Sequence, residues 1–451
     1  MKSSGNSPIN NFHTFDFCFV LVTASDCAIT MSGKRIWQTD FDLRKLLIPR
    51  PLAWLTTPND AAPEVPQQSH LILVSGFTSA CYSPLTVLLA SPSTELLTVG
   101  RHVTLSLTTI RETEALESAT VGQPLSFEAL GLTPAQSQTL QDITYPPAVA
   151  DSPVQFYGTV QLCEKDLVLI LIATSVVDRS VLAAAVPTPS STRQIKGKID
   201  ARRIDAIVDL GGGRYRPNRD YRSMPRPTRA DEESSWTTTD FTAVVPETPL
   251  LQQHDEDSPL FKWTPSIEGR SCALGFNPTT ALVLSRPIGW ISTYSSPGRV
   301  AHLAPYSFFM DVGPDLVAFC PYSAAGTQLK DAHKDAQDSK CFCYNMCTME
   351  TATAMNLSAA PLAREESEFA LAGLTPGIAN TIDAPVVAEA PVRFECEYVK
   401  TINDIGGFSI VIGRVKGVSV EPEVLLPDGT LNLEKVHPIA RLGYMDEYGV
   451  L

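Results

Sequence analysis

Two stretches decide the architecture: "RPLAWLTT" at 50–57 and "RPIGWIST" at 286–293. Each sets Arg-Pro ahead of a Trp-centred apolar run that closes on hydroxyl side chains. Working outward, "FEALGLTP" at 127–134 returns as "FALAGLTP" at 369–376, and "VADSPVQF" at 149–156 as "VAEAPVRF" at 387–394. Near the ends of the two copies, "IDAIVDLG" at 204–211 faces "VHPIARLG" at 436–443. Four blocks thus recur in one order, at offsets between 232 and 242 residues. Self-similarity at so long a period predicts a doubled domain, not a solenoid of small repeats.

The 451 residues are enough for two domains, each able to bury a full core without disulfides or metal. Hydrophobic residues make up 44% and charged residues 19%, an ordinary globular balance. A net charge of −14 with no basic stripe argues against a nucleic-acid partner. The longest apolar run, "LVLILIA" at 167–173, is too short to span a bilayer and reads as a buried strand, so no membrane partner is expected. The ten cysteines are scattered. The one cluster, Cys341, Cys343 and Cys347 in "CFCYNMC", lacks metal-site spacing and reads as buried thiols on one face of a strand. Reduced cysteines suit a cytoplasmic protein. At the N-terminus, Asp16 and Asp26 flank the apolar "FDFCFVLV", a poor signal peptide, so 1–31 reads as an extension ahead of a functional start at Met31.

Both copies are dominated by short β-branched runs separated by turn signals, such as "ALVLS", "LVAFC" and "FSIVIGRVKGVSV" in the second. This predicts a mainly β fold of antiparallel, Greek-key barrels. Helical stretches are expected to be few, foremost at 329–339 and 351–360. The domains are drawn at 32–215 and 263–451, with the Pro-, Ser- and charge-rich 216–262 as a partly disordered linker. "GGG" at 211–213 lacks the GK[ST] of a phosphate loop, and no catalytic triad, zincin, kinase or dinucleotide fingerprint is present.

One long stretch carries chemistry: "SRPIGWISTYSSPGRVAHLAPYSFFMDVGPDLVAFC", followed by "LKDAHKD", "EFALAGLTP", "APVVAEAPVRFEC" and "PIARLGYMDEY". It resembles the flavin-reductase-like, FMN-binding split-barrel family over nearly all of 283–448. The resemblance implies two tandem split β-barrels packed as a pseudo-dimer, with FMN as cofactor and NADH or NADPH as reductant. It places His302, Leu303, Ala304, Tyr306 and Ser307 along the flavin, and Ser292 and Thr293 at its phosphate or ribityl chain. Lys330 would neutralise the phosphate beside Asp331, and Arg441 completes the implied set. Two positions depart from the family pattern: His302 stands where Asn is usual, and Ala332 where Thr is usual. Asn-to-His exchanges one hydrogen-bonding side chain for another; Ala332 removes a phosphate hydroxyl.

Copy one departs further. The spacing from Pro92 to Arg101 is ten residues shorter than from Pro321 to Lys340, and the shortfall falls where the Lys-Asp pair would stand. Copy one is therefore expected to bind no flavin of its own and to serve as a packing partner. The leading reading is an FMN-dependent oxidoreductase of flavin-reductase-like type, small-molecule flavin and nicotinamide being its partners. A non-catalytic flavin-binding or interaction protein is the alternative. A third reading, a barrel shifted to haem, finds no axial-ligand motif among only seven histidines.

Overall fold

The computed structural model describes residues 30–178 and 283–451, apart from short gaps within them. Between these it describes five strands at 194–199, 207–211, 214–217, 239–244 and 260–263. The expectations for 1–29 and for most of the linker lie outside the described residues.

A leading strand β1 (Arg35–Gln38) and a helical turn α1 (Leu43–Leu46) precede the first barrel. Its strands are β2 (Leu52–Thr57), β3 (His70–Ser75), β4 (Phe77–Tyr82), β5 (Leu85–Ala90) and β6 (His102–Leu107). Helix α2 (Thr113–Ser118), edge strand β7 (Pro124–Ser126) and helix α3 (Phe127–Leu130) follow. The long hairpin β8 (Val154–Glu164) and β9 (Leu167–Asp178) completes the barrel. A second leading strand, β10 (Leu260–Trp263), precedes β11 (Gly289–Tyr294), β12 (Ala301–Tyr306), β13 (Phe309–Asp311) and β14 (Leu316–Phe319). Helix α4 (Asp331–Ser339) leads into β15 (Cys341–Asn345). Helices α5 (Ala352–Leu357) and α6 (Glu368–Ala372) precede the closing hairpin β16 (Val392–Ile405) and β17 (Phe408–Val420). The expected helices at 329–339 and 351–360 are thus present as α4 and α5.

The first sheet runs β4-β5-β9-β8-β6-β2-β3, and the second β13-β14-β17-β16-β15-β11-β12. Strand for strand the order is the same, and every ladder is antiparallel. The repeated blocks hold equivalent posts in it. In β2, Ala53 and Leu55 face the barrel core while Trp54 faces outward onto Phe127 and Val149. In β11, Ile291 faces inward and Trp290 packs on Phe369 and Val387. Both tryptophans are fully buried, and each indole N–H is satisfied: Trp54 donates to Glu112 Oε2 at 2.6 Å, Trp290 to Ser358 Oγ at 2.9 Å. The two "GLTP" glycines end α3 and α6 in the left-handed region, at φ 66° and 67°. The amide after each glycine donates 2.9 Å back to the carbonyl of Phe127 or Phe369.

The barrels pack on one another through apolar side chains. Leu88, Leu167 and Leu169 of the first meet Phe308, Met310, Phe408, Ile410 and Ile412 of the second. Arg50 and Asp311 make a bidentate pair across the junction, at 2.6 and 3.1 Å. Gly76, at φ 84°, leaves room for it: a Cβ there would stand 3.1 Å from the Asp311 carboxylate.

The expected domain bounds of 32–215 and 263–451 do not coincide with the packing units. Strand β1 leaves its own barrel and pairs with β17 of the second, Trp37 opposite Ser419. Leu43, Leu46 and Leu47 are buried in the second barrel's core. In return, β10 pairs with β9 of the first barrel, Trp263 opposite Ser175, and Val283 is buried in the first barrel's core. The halves exchange leading arms. The physical reason is that each closing strand outruns its barrel neighbour: β14 pairs with 411–414 of β17 and β5 with 167–171 of β9, which leaves 418–420 and 175–178 as edges for an incoming arm. The linker is also less empty than expected, since 239–244 pairs with 194–199. Strands 207–211 and 214–217 join 448–450, 439–441 and 286–287 in one small sheet.

Candidate functional site

Helix α4 organises the site. Ala332 and Ala336, one turn apart, pack into the second barrel's core and fix the helix against β11, β12 and β15. That packing carries Asp331 and Asp335, also one turn apart, onto the flank facing β12. Two carboxylates at that spacing repel unless a cation lies between them. Arg364, from the strap between α5 and α6, bonds both. Asp335 is fully buried and accepts also from Thr293 Oγ1 at 3.1 Å and from His302 Nδ1 at 2.7 Å. The other ring nitrogen of His302 lies 2.9 Å from the Arg364 carbonyl oxygen. Burial alone would lower the His302 pKa, but Asp335, the Arg364 carbonyl and Glu368 together hold it above its usual value. Burial pushes Glu368 up to about 7, although its carboxylate accepts the Leu303 N–H at 3.0 Å.

The ten residues expected at the cofactor fall into groups. Ser292 and Thr293 are fully buried, with both hydroxyls spent within the protein: Ser292 Oγ donates to the Pro385 carbonyl at 2.5 Å. His302 and Leu303 are also buried, the imidazole in the charged cluster and the leucine in the core beneath Trp290. Ala304, Tyr306 and Ser307 are half-buried along the end of β12. The Tyr306 ring is held against Phe319 at 4.9 Å, and burial raises its phenol so that it stays neutral. Lys330, the N-cap residue of α4, is exposed and pairs with no carboxylate among the described residues. Asp331 beside it is bound to Arg364. Arg441 lies in the small sheet, its guanidinium over the Tyr448 ring at 5.3 Å.

Asp335, Arg364, Glu368 and Asn345 were not singled out by sequence. Asn345 braces the Trp290 carbonyl, Ser292 Oγ and the Val387 amide at once. Of the clustered cysteines, Cys341 and Cys343 do share one packing cluster, but Cys347 lies past the end of β15 and packs beside Trp290. No metal-binding group of side chains occurs among the described residues.

The equivalent place in the first barrel is built differently. A single 3-10 turn, Thr94–Leu96, stands between β5 and β6 where the second barrel has α4. Thr57, the counterpart of Thr293, accepts from Arg101 Nε at 2.6 Å, and Arg101 pairs outward with Asp60 at 2.8 Å.

A family model described as "Flavin reductase like domain" matches residues 282–435. An uncharacterized protein of Aquifex aeolicus is 35% identical over 173 residues, which cover 37% of this chain and 87% of that protein. One from Halalkalibacterium halodurans is 33% identical over 175 residues, 37% of this chain and 82% of its own. Among solved structures, nitrilotriacetate monooxygenase component B from Bacillus cereus aligns with 26% identity and a TM-score of 0.37, over 45% of this chain and 96% of that one. Among the described residues, no helix is long and apolar enough to cross a membrane.

Proposed function

Because the chain belongs to the flavin reductase-like family, we propose that its second half binds FMN and passes electrons from NADH or NADPH to an acceptor. Bound flavin would supply the redox chemistry, taking up a hydride and giving electrons on. The observation that carries this reading is the turn at Lys330. An ammonium with no carboxylate partner among the described residues stands there at the start of a helix whose first amides have no intrahelical partner, a combination suited to a phosphate. Two orphaned groups bracket that turn in sequence: buried Ser323 Oγ, and both ring nitrogens of buried His333. The residues present therefore fit an anionic cofactor, even with Ala332 in place of a hydroxyl.

In this reading Lys330 neutralises the phosphate, and Ala304, Tyr306 and Ser307 offer the half-buried wall for the ring. The neutral Tyr306 phenol is available as a donor without adding charge. Ser292, Thr293, His302 and Leu303 hold that wall from behind, and Arg364 keeps Asp331 from repelling the phosphate. The first barrel, whose Thr57 is bonded by Arg101 and which lacks the helix that carries Asp335, serves as packing partner and holds no flavin. The free cysteines among the described residues suit a reducing, cytoplasmic setting.

Titrating FMN and riboflavin into the full-length protein and into Lys330→Ala tests the reading. A charge-assisted contact contributes about 1.5–3 kcal/mol, so FMN should bind roughly 10- to 100-fold more weakly to the variant. Riboflavin, which lacks the phosphate, should be unaffected. Equal losses for both flavins would make Lys330 a residue of the fold. Bleaching of the bound flavin bands by NADH or NADPH tests the electron transfer; bands that persist would leave a flavin binder without reductase activity.

A further inference from the structure

The two barrels close the same edge in different ways. In the first, β7 adds to β3 as a backbone ladder, Leu71 opposite Leu125. In the second, the strap running into α6 forms no ladder with β12. Side chains fasten it instead: Ser367 Oγ donates to the Ala301 carbonyl at 2.5 Å, Glu368 takes the Leu303 amide, and Arg364 reaches across to α4.

His302 sits under this fastening, and its bonding fixes its charge. Nε2 faces the Arg364 carbonyl, which can only accept. Nδ1 faces the Asp335 carboxylate, whose oxygens also accept from Arg364 and Thr293. Two acceptors require two N–H donors, so the ring is an imidazolium. Loss of one proton leaves a lone pair facing an acceptor. The carboxylate keeps the remaining N–H, and the contact to the strap becomes repulsive.

We propose that residues 363–368 form a proton-operated clasp on the edge of β12, closed while His302 is doubly protonated and released when it is not. The groups facing the ring are Asp335 and, through Arg364, Asp331 of α4, Arg364 of the strap, Glu368 of α6 and Thr293 of β11. The folded imidazole titrates above its ordinary 6.5, so the clasp's contribution is complete below that pH and is lost as pH rises through the folded value. The consequence for a flavin lying along β12 rests on the function proposed above; the clasp itself does not.

Amide hydrogen exchange and histidine nitrogen NMR on the flavin-free, full-length protein test it. Near pH 6 both His302 nitrogens should carry protons, and the Leu303 amide and the strap should be protected. Between pH 6 and pH 10 their protection, corrected for intrinsic exchange, should fall at least tenfold. The β3–β7 ladder in the same molecule should not change. In a Glu368→Gln background, which removes that carboxyl's own titration near 7, adding His302→Gln should abolish the remaining pH dependence. A singly protonated ring at pH 6, unchanged protection at Leu303, or pH dependence surviving in the variant would each overturn the clasp. None of these outcomes bears on whether FMN binds at Lys330.

Discussion

Thr57 and Thr293 occupy one post in two barrels of the same strand order, and they face opposite charges. Thr57 accepts from Arg101, which continues outward to Asp60 at the surface. Thr293 donates to Asp335, which is fully buried and tied to a second cation and an imidazole. The scaffold around them is nearly interchangeable: a sealed tryptophan, a glycine-capped turn, a Val amide braced from the neighbouring strand. Val149 is held by Ser106 Oγ at 3.1 Å and Val387 by Asn345 Oδ1 at 2.8 Å. The difference teaches that residues carrying the fold and residues carrying the site are separable here. One barrel has the first set and, at the second, a surface ion pair instead.

The comparison is broken hardest at the exchanged arms. Leu47→Ala should cost about 2–5 kcal/mol, as large-to-small core changes do. Although Leu47 precedes the first barrel, hydrogen exchange should show the loss of protection in β16 and β17. Loss confined to β8 and β9 would mean the arm stays with its own half. Next comes Glu368→Gln. Burial raises the wild-type carboxyl from 4.5 to about 7, so wild-type stability declines as pH rises across that window. The variant keeps an acceptor for the Leu303 amide without the buried charge. It should therefore gain on the wild type, by roughly 3 kcal/mol at most, on going from pH 4 to pH 8. Thermal melts at the two pH values measure this, and a gain at pH 4 instead would reverse the assigned sign. The smallest effect sharpens the opening contrast. Thr293→Val should cost about 1.5–3 kcal/mol, because it strips a donor from a buried carboxylate, while Thr57→Val should cost about 1 kcal/mol or less. Denaturant midpoints separate the two, and equal costs would mean the two threonines do equivalent work.

Much of the frame was legible in the sequence, because each repeated block marks a local device. The doubled domain, its β character and the short helix after Lys330 followed from the repeats and the local pattern, whereas the left-handed caps at Gly131 and Gly373 became visible only in the fold. The arm exchange was not legible. "RIWQ" follows the expected start at Met31 and "LFKW" closes the expected linker, and nothing local says which of two equivalent barrels receives them. The charged cluster was half visible. Asp331 was read beside Lys330, but Asp335 drew no notice, and Arg364 lies some thirty residues away, in a strap without any periodic pattern. Glu368 reads as an ordinary first-turn acid until the edge of β12 is seen to lack a ladder. Partners fixed by tertiary placement leave little trace in local pattern.

The exchanged arms also set a schedule. Strand β1 contacts residue 420 through Ile36, so the arm's docking surface does not exist until 384 further residues have been made. At roughly 5–20 residues per second, that is on the order of 20–80 s of synthesis. Throughout it Leu43, Leu46 and Leu47 have no core to enter, and the first barrel likewise waits for Val283. The newborn first half is thus sticky at one end and open at one edge, and its protection until the second half arrives falls to whatever binds exposed leucines at the ribosome. Nascent chains stalled before residue 408 should leave 36–47 open to protease, and chains released past 420 should close it.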